Sequence, residues 1–171
     1  MADGANGSPA PGTATGERWQ YRIEVRCDAP PEAVWPLVGE AARWREWSFL
    51  SRSFLKREGQ PPPDGVGALR RFAVGPFGSE EEVVAWEPPR HLGYVAHRGL
   101  PVRHYRADIV LSPDGSGTHV TWTGSLEPLV PGTGRLTLAY ARSFVQRFAG
   151  ELVRATRRPV AGSAGSVGSA G

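Results

Sequence analysis

Apolar and polar residues alternate with a period of two through most of the stretch from Trp19 to Pro128. The first segment, Trp19-Gln-Tyr-Arg-Ile-Glu-Val-Arg-Cys27, reads as a strand with one buried face. Further strands are expected at about 53–58, 66–74, 79–87, 91–98, 102–112 and 118–127. Turn residues punctuate them: Gln60-Pro-Pro-Pro-Asp-Gly65, Gly75-Pro-Phe-Gly78, Pro88-Pro89, Gly99-Leu-Pro101 and Pro113-Asp-Gly-Ser-Gly117. After the first strand, Asp28-Ala-Pro-Pro-Glu-Ala-Val-Trp starts a short helix, since proline suits a first helical turn and Glu32 suits its positive end. Pro36 keeps that helix short or kinked and Gly39 ends it; residues 40–47 make a second short helix, followed by an aromatic-rich loop with Trp44, Trp47 and Phe49.

From Leu136 to Arg157 the period changes to that of a helix. Ala141, Phe144, Val145, Phe148, Leu152 and Ala155 fall on one face, and Ser143, Arg147, Glu151, Arg154 and Arg158 on the other. Antiparallel strands followed by one long amphipathic helix pack economically when the sheet curls and the helix lies across its concave side. The expected fold is therefore α+β, a curved seven-stranded antiparallel sheet around a long C-terminal helix, with a hollow between them.

Alternation also proposes which side chains face that hollow. In the sixth strand the apolar set is Tyr105, Ala107, Ile109 and Leu111, and Arg103 shares its parity. A four-residue loop at 113–116 would set Ile109 against Val120, Ala107 against Trp122 and Tyr105 against Gly124. The fifth strand offers Leu92, Tyr94 and Ala96 with Arg98 in step, and a turn at 88–91 adds Ala85, Val83 and Glu81, placing Glu81 opposite Arg98. One of the adjacent Arg70 and Arg71 must also point inward; alternation does not say which, and Arg71 is carried as the candidate. The candidate ligand-binding set is Arg71, Glu81, Tyr94, Arg98, Arg103, Tyr105, Trp122, Phe144 and Phe148, with Glu81 and Tyr105 as the candidate catalytic groups. Ions are costly to bury dry, so Glu81, Arg98 and Arg103 either line a wet pocket or pair structurally.

Composition narrows the class. Residues 1–17 and 159–171 are rich in Gly, Ala, Ser and Pro and are expected to be disordered tails flanking one domain at 18–158. The chain shows neither a signal peptide nor a window long and apolar enough to cross a membrane. Cys27 is the only cysteine, so no internal disulfide forms and a cytoplasmic location is expected. The net charge of +3 is modest; Arg135, Arg142, Arg147, Arg154, Arg157 and Arg158 crowd the last helix and read as its solvated back. No aromatic–basic motif accompanies them, so no nucleic-acid partner is expected. His97 and His104 become outer-face neighbours without a third ligand, and no phosphate loop, nucleophile elbow, zinc motif or complete calcium loop occurs, so no metal or cofactor is expected. Monomer and homodimer both stay open.

Several ordered segments resemble one superfamily. Ala29-Pro-Pro-Glu-Ala-Val-Trp-Pro-Leu-Val38, Gly65-Val-Gly-Ala-Leu-Arg-Arg71, Glu81-Glu-Val-Val-Ala-Trp-Glu-Pro-Pro-Arg-His-Leu-Gly-Tyr94, Leu100-Pro-Val-Arg-His-Tyr105 and Gly117-Thr-His-Val-Thr-Trp122 resemble the START/Bet v 1-like (SRPBCC) superfamily, in its polyketide cyclase/dehydrase and lipid-transport branch. The resemblance implies a helix-grip fold with an internal cavity for a hydrophobic or amphipathic small molecule, lipid or polyketide-like. It leaves open whether the protein only binds that molecule or acts on it as a cyclase or dehydratase. Aromatase-like members of the branch place an arginine in the cavity, a role that Arg70 or Arg71 would match.

Overall fold

A computed structural model describes residues 18–157. The tails for which the sequence predicts disorder lie outside these residues. The seven strands are β1 (Trp19–Cys27), β2 (Arg52–Arg57), β3 (Leu69–Val74), β4 (Phe77–Glu87), β5 (His91–Arg98), β6 (Val102–Asp114) and β7 (Gly117–Pro128). They form one antiparallel sheet in the order β1-β7-β6-β5-β4-β3-β2. Two short helices, α1 (Pro31–Gly39) and α2 (Trp44–Trp47), join β1 to β2 through a single 3-10 turn, and α3 (Gly134–Thr156) is the long C-terminal helix. This is the α+β helix-grip arrangement that the strand and helix patterns predict.

α1 opens on Pro31, where the absent N–H has no partner to lose, and Pro36 limits it to little more than two turns. α3 turns Val145, Phe148, Ala149 and Leu152 onto the sheet, where they meet Tyr21, Ile23, Ala107, Ile109, Val120 and Trp122 in one core. The exposed back of α3 carries Arg135, Arg142, Arg147 and Arg154.

From β4 to β7 the strand register differs from simple alternation in four places. The β6–β7 turn is two residues long, pairing Asp114 with Gly117, so Ile109 lies opposite Trp122 and Ala107 opposite Gly124. The shift is two residues from the expected pairing, and an even shift leaves every side chain on its face. The other three are bulges, which move side chains by odd steps. One lies between Val83 and Ala85, and beyond it Trp86 rather than Ala85 packs inward, edge-on to Trp35. A second leaves His97 as an extra residue on β5, so Arg98 stands opposite Glu80 and is exposed. A third lies between Arg103 and Arg106; His104 there adopts φ 49°, and Arg103 turns out to solvent opposite Glu127. Arg98 and Arg103 therefore do not share the inner face with Glu81. On β3 the inward arginine is Arg70; Arg71 lies on the outer side, 3.7 Å from Glu80.

Candidate functional site

The inner faces of β3 to β7, roofed by α2 and α3, enclose a hollow of about 270 Å³. Its walls are apolar over most of their extent: Phe72, Leu126 and Val102 on the sheet, Trp44 on α2, and Phe144 and Phe148 on α3. The hollow reaches the surface between the β3–β4 and β5–β6 turns and the first turns of α3, where Phe77, Pro101 and Tyr140 line it.

Polar side chains interrupt this lining, Ser79, Glu81, Tyr94 and Tyr105 on the sheet and Thr137 and Tyr140 on α3 near the opening. Ser79 and Glu81 share the inner face of β4, two residues apart, and the Ser79 hydroxyl donates to Glu81 Oε1 at 3.0 Å. Tyr94 Oη accepts from Trp122 Nε1 at 3.1 Å, which leaves the Tyr94 proton free to donate. The Tyr105 and Tyr21 hydroxyls bond each other at 2.6 Å.

Behind Glu81 lies Arg70, 0 % exposed. Its Nη2 is 3.7 Å from Glu81 Oε2, beyond hydrogen-bond distance. The guanidinium carbon sits 5.1 Å from the Tyr94 ring, 5.2 Å from Phe72 and 5.9 Å from Trp44. These aromatic faces give it cation–π contact, but Nε, Nη1 and Nη2 all lack a hydrogen-bond partner. A buried guanidinium with no acceptor is among the costliest arrangements a core can hold.

Burial sets the protonation behaviour of the site. It pushes the Glu81 carboxyl above the ordinary range, and Arg70 and Ser79 pull it only part of the way back. Burial also holds the Tyr94 and Tyr105 phenols well above their usual value, so both are proton donors rather than bases. The same desolvation lowers Arg70, which nonetheless stays a cation at any ordinary pH.

Of the residues singled out from sequence, Glu81, Tyr94, Tyr105, Trp122, Phe144 and Phe148 come together around the hollow. Arg71, Arg98 and Arg103 stand outside it. Sequence reasoning missed Ser79, Trp44 and Phe72, and left the choice of Arg70 open. Phe72 shares parity with Arg70 and is a signal that the inward arginine is the one two residues before an aromatic. Among the described residues no three His, Cys, Asp or Glu side chains converge as a metal site would require. His97 instead contacts Glu82 at 2.7 Å, and His104 lies 3.9 Å from Glu127.

A sequence profile described as polyketide cyclase / dehydrase and lipid transport matches residues 18–158. No curated protein matches the sequence. Among solved structures, a START superfamily protein from Mycobacterium smegmatis superposes with a TM-score of 0.71 at 12% identity, over 80% of this chain and 96% of that one. XoxI from Bacillus cereus gives 0.67 at 17% identity, over 80% and 94%. DynU16, from the dynemicin biosynthetic locus, gives 0.60 at 24% identity over 79% of this chain and 46% of its own length. At these identities the likeness is one of fold.

Proposed function

The chain belongs to the polyketide cyclase / dehydrase and lipid transport family, and on that premise we propose that it binds an apolar or amphipathic small molecule, lipid or polyketide-like, in the hollow between sheet and α3. The apolar body of the ligand would lie against Trp44, Phe72, Trp122, Phe144 and Phe148. An oxygen-bearing end, carbonyl or carboxyl, would reach the Glu81 and Tyr94 end, accept from Tyr94 and sit in the field of the Arg70 cation behind them. The observation that carries this reading is Arg70 itself: a wholly buried cation whose three nitrogens find no acceptor within the protein. Stability alone favours an apolar residue at such a position.

Trp44 and Trp122 line the hollow, so occupancy is visible in tryptophan fluorescence. Titration with fatty acids, the matching alkanes and aromatic polyketide mimics should give a saturable change, strongest for members with an oxygenated end. Arg70→Met should erase the preference for that end while keeping affinity for the apolar body. A panel without any saturable response would overturn the proposal.

A second reading is favoured by the raised Glu81 carboxyl beside a protonated Tyr105. In a cyclase or dehydratase, Glu81 would take a proton from an activated methylene, and Tyr105 would donate to the developing oxyanion. Loss of turnover of a poly-β-keto chain in Glu81→Gln, with binding retained, would support it. Unchanged turnover would exclude Glu81 as the base.

A further inference from the structure

The open end of the hollow is ringed by apolar side chains that stand in solvent. Phe77 at the start of β4 is 79% exposed, Leu136 on the first turn of α3 is 74%, Tyr140 one turn later is 61%, and Val130 in the β7–α3 loop is 60%. Leu129 and Val74 add to the ring. These residues come from three segments, the β3–β4 hairpin, the β7–α3 loop and the first turns of α3, and the antiparallel order brings all three to one end of the sheet, together with the end of β5 and the start of β6. Scattered exposed apolar groups need no explanation, but a ring of them around one opening does.

The charges are divided by the same axis. At the opposite end of the sheet, Arg26, Arg57, Arg90 and Arg157 each lie within 3.7 Å of a carboxylate. At the open end, Arg52, Arg98, Arg103 and Arg135 are exposed, and none has a carboxylate at ion-pair distance among the described residues. Among the described residues, the two acids at this end are already engaged, Glu80 by Lys56 and Arg71, and Glu127 by Arg18 and His104. The bulges that turn Arg98 and Arg103 away from the interior deliver them to this rim.

From this arrangement we propose that the open end of the sheet docks on an anionic lipid surface, with Phe77, Val130, Leu136 and Tyr140 entering the interfacial layer and Arg52, Arg98, Arg103 and Arg135 meeting lipid phosphates. Apolar side chains fringed by unpaired cations match the chemistry of that layer. Val74, Phe77 and Tyr140 line the opening itself, so contact with a bilayer would let an apolar molecule pass into the hollow without crossing water. Among the described residues no helix is long and apolar enough to cross a membrane, so the contact is superficial. The proposal stands apart from the identity of any ligand in the hollow.

The test is flotation of the full chain with phosphatidylcholine vesicles, with and without phosphatidylglycerol. The protein should float with the anionic vesicles at low salt, much less with the neutral ones, and progressively less as salt rises. Each cation near such a surface contributes roughly fivefold in partitioning, so Arg98→Glu/Arg103→Glu should lower it by roughly tenfold or more. Arg90→Glu/Arg157→Glu, with the same charge change at the far end, should lower it far less. Val130→Ser/Leu136→Ser changes two exposed side chains that do not line the hollow, and it should weaken flotation without altering ligand fluorescence; Arg70→Met should do the reverse. Absence of flotation at low salt, or equal losses from the two charge-reversed pairs, would overturn the proposal. Capture of an acidic protein by this rim without vesicle binding would overturn it also.

Discussion

Arg70 Nη2 lies 3.7 Å from Glu81 Oε2, and between these two ions there is charge compensation without a hydrogen bond. The pair is therefore poorly optimised for stability, as expected where a ligand oxygen completes the arrangement. Replacing both ions by neutral groups of similar volume, Arg70→Met with Glu81→Gln, should leave stability unchanged or raise it by about 1–4 kcal/mol. Urea unfolding measures this. A double variant less stable than the parent would show that the pair is structural and would remove the reason to assign it to binding.

Glu81 also sets a pH dependence. Its folded pKa lies above the ordinary carboxyl value because burial disfavours the charged form. A group raised in this way contributes stability that is fully present below its unfolded pKa and is lost as pH rises through the folded pKa. Glu81→Gln removes that contribution. The variant's Tm minus the parent's should then increase as pH climbs through and just above the ordinary carboxyl range, whatever its starting value. A constant difference across that range would mean that Arg70 fully offsets the burial of Glu81.

The Tyr21 and Tyr105 hydroxyls are each other's partners in a buried site, at 2.6 Å. Tyr105→Phe strands the Tyr21 hydroxyl and should cost about 1–3 kcal/mol, and Tyr21→Phe should cost a similar amount. The double Phe variant should cost less than the sum of the two, because neither hydroxyl is then left behind. Strict additivity in this cycle would show that water replaces the missing partner and that the tyrosine end of the hollow is wet.

The architecture was legible because strand and helix periods are set by burial on one face, and that signal survives errors of a residue or two at each boundary. The inner positions of Tyr105, Ala107, Ile109, Leu111, Val120 and Trp122 also survived a wrong turn length, since the β6–β7 turn shifts their pairing by an even number. Arg98 and Arg103 did not survive. Each lies just beyond a bulge that alternation cannot register, and both ended on the rim instead of inside. Arg70 was ambiguous for a different reason: two adjacent arginines give no contrast in polarity, so only Phe72 two positions on reveals the inward face. Gly124 carries a cue that strand patterning leaves unused. A Cβ there would lie 2.3 Å from the Tyr21 ring, so the strand glycine marks where that ring crosses β7 to reach Tyr105.

Phe148 joins the roof of the hollow to the core. It is 6 % exposed, and its ring lies 4.5–6.3 Å from those of Trp44, Trp47, Phe49, Trp122 and Phe144. Phe148→Ala should cost about 3–5 kcal/mol, as expected for a large aromatic removed from a packed interior. It also takes away one wall of the hollow, so the ligand profile should move toward bulkier apolar bodies while the preference for an oxygenated end, set at Arg70 and Tyr94, persists. Phe148→Leu tests the same point at a smaller stability loss should the alanine variant fail to fold. A variant that unfolds at the expected lower denaturant concentration but keeps the parent's ligand preferences would show that the ligand does not rest on α3, and would place its apolar body against the sheet alone.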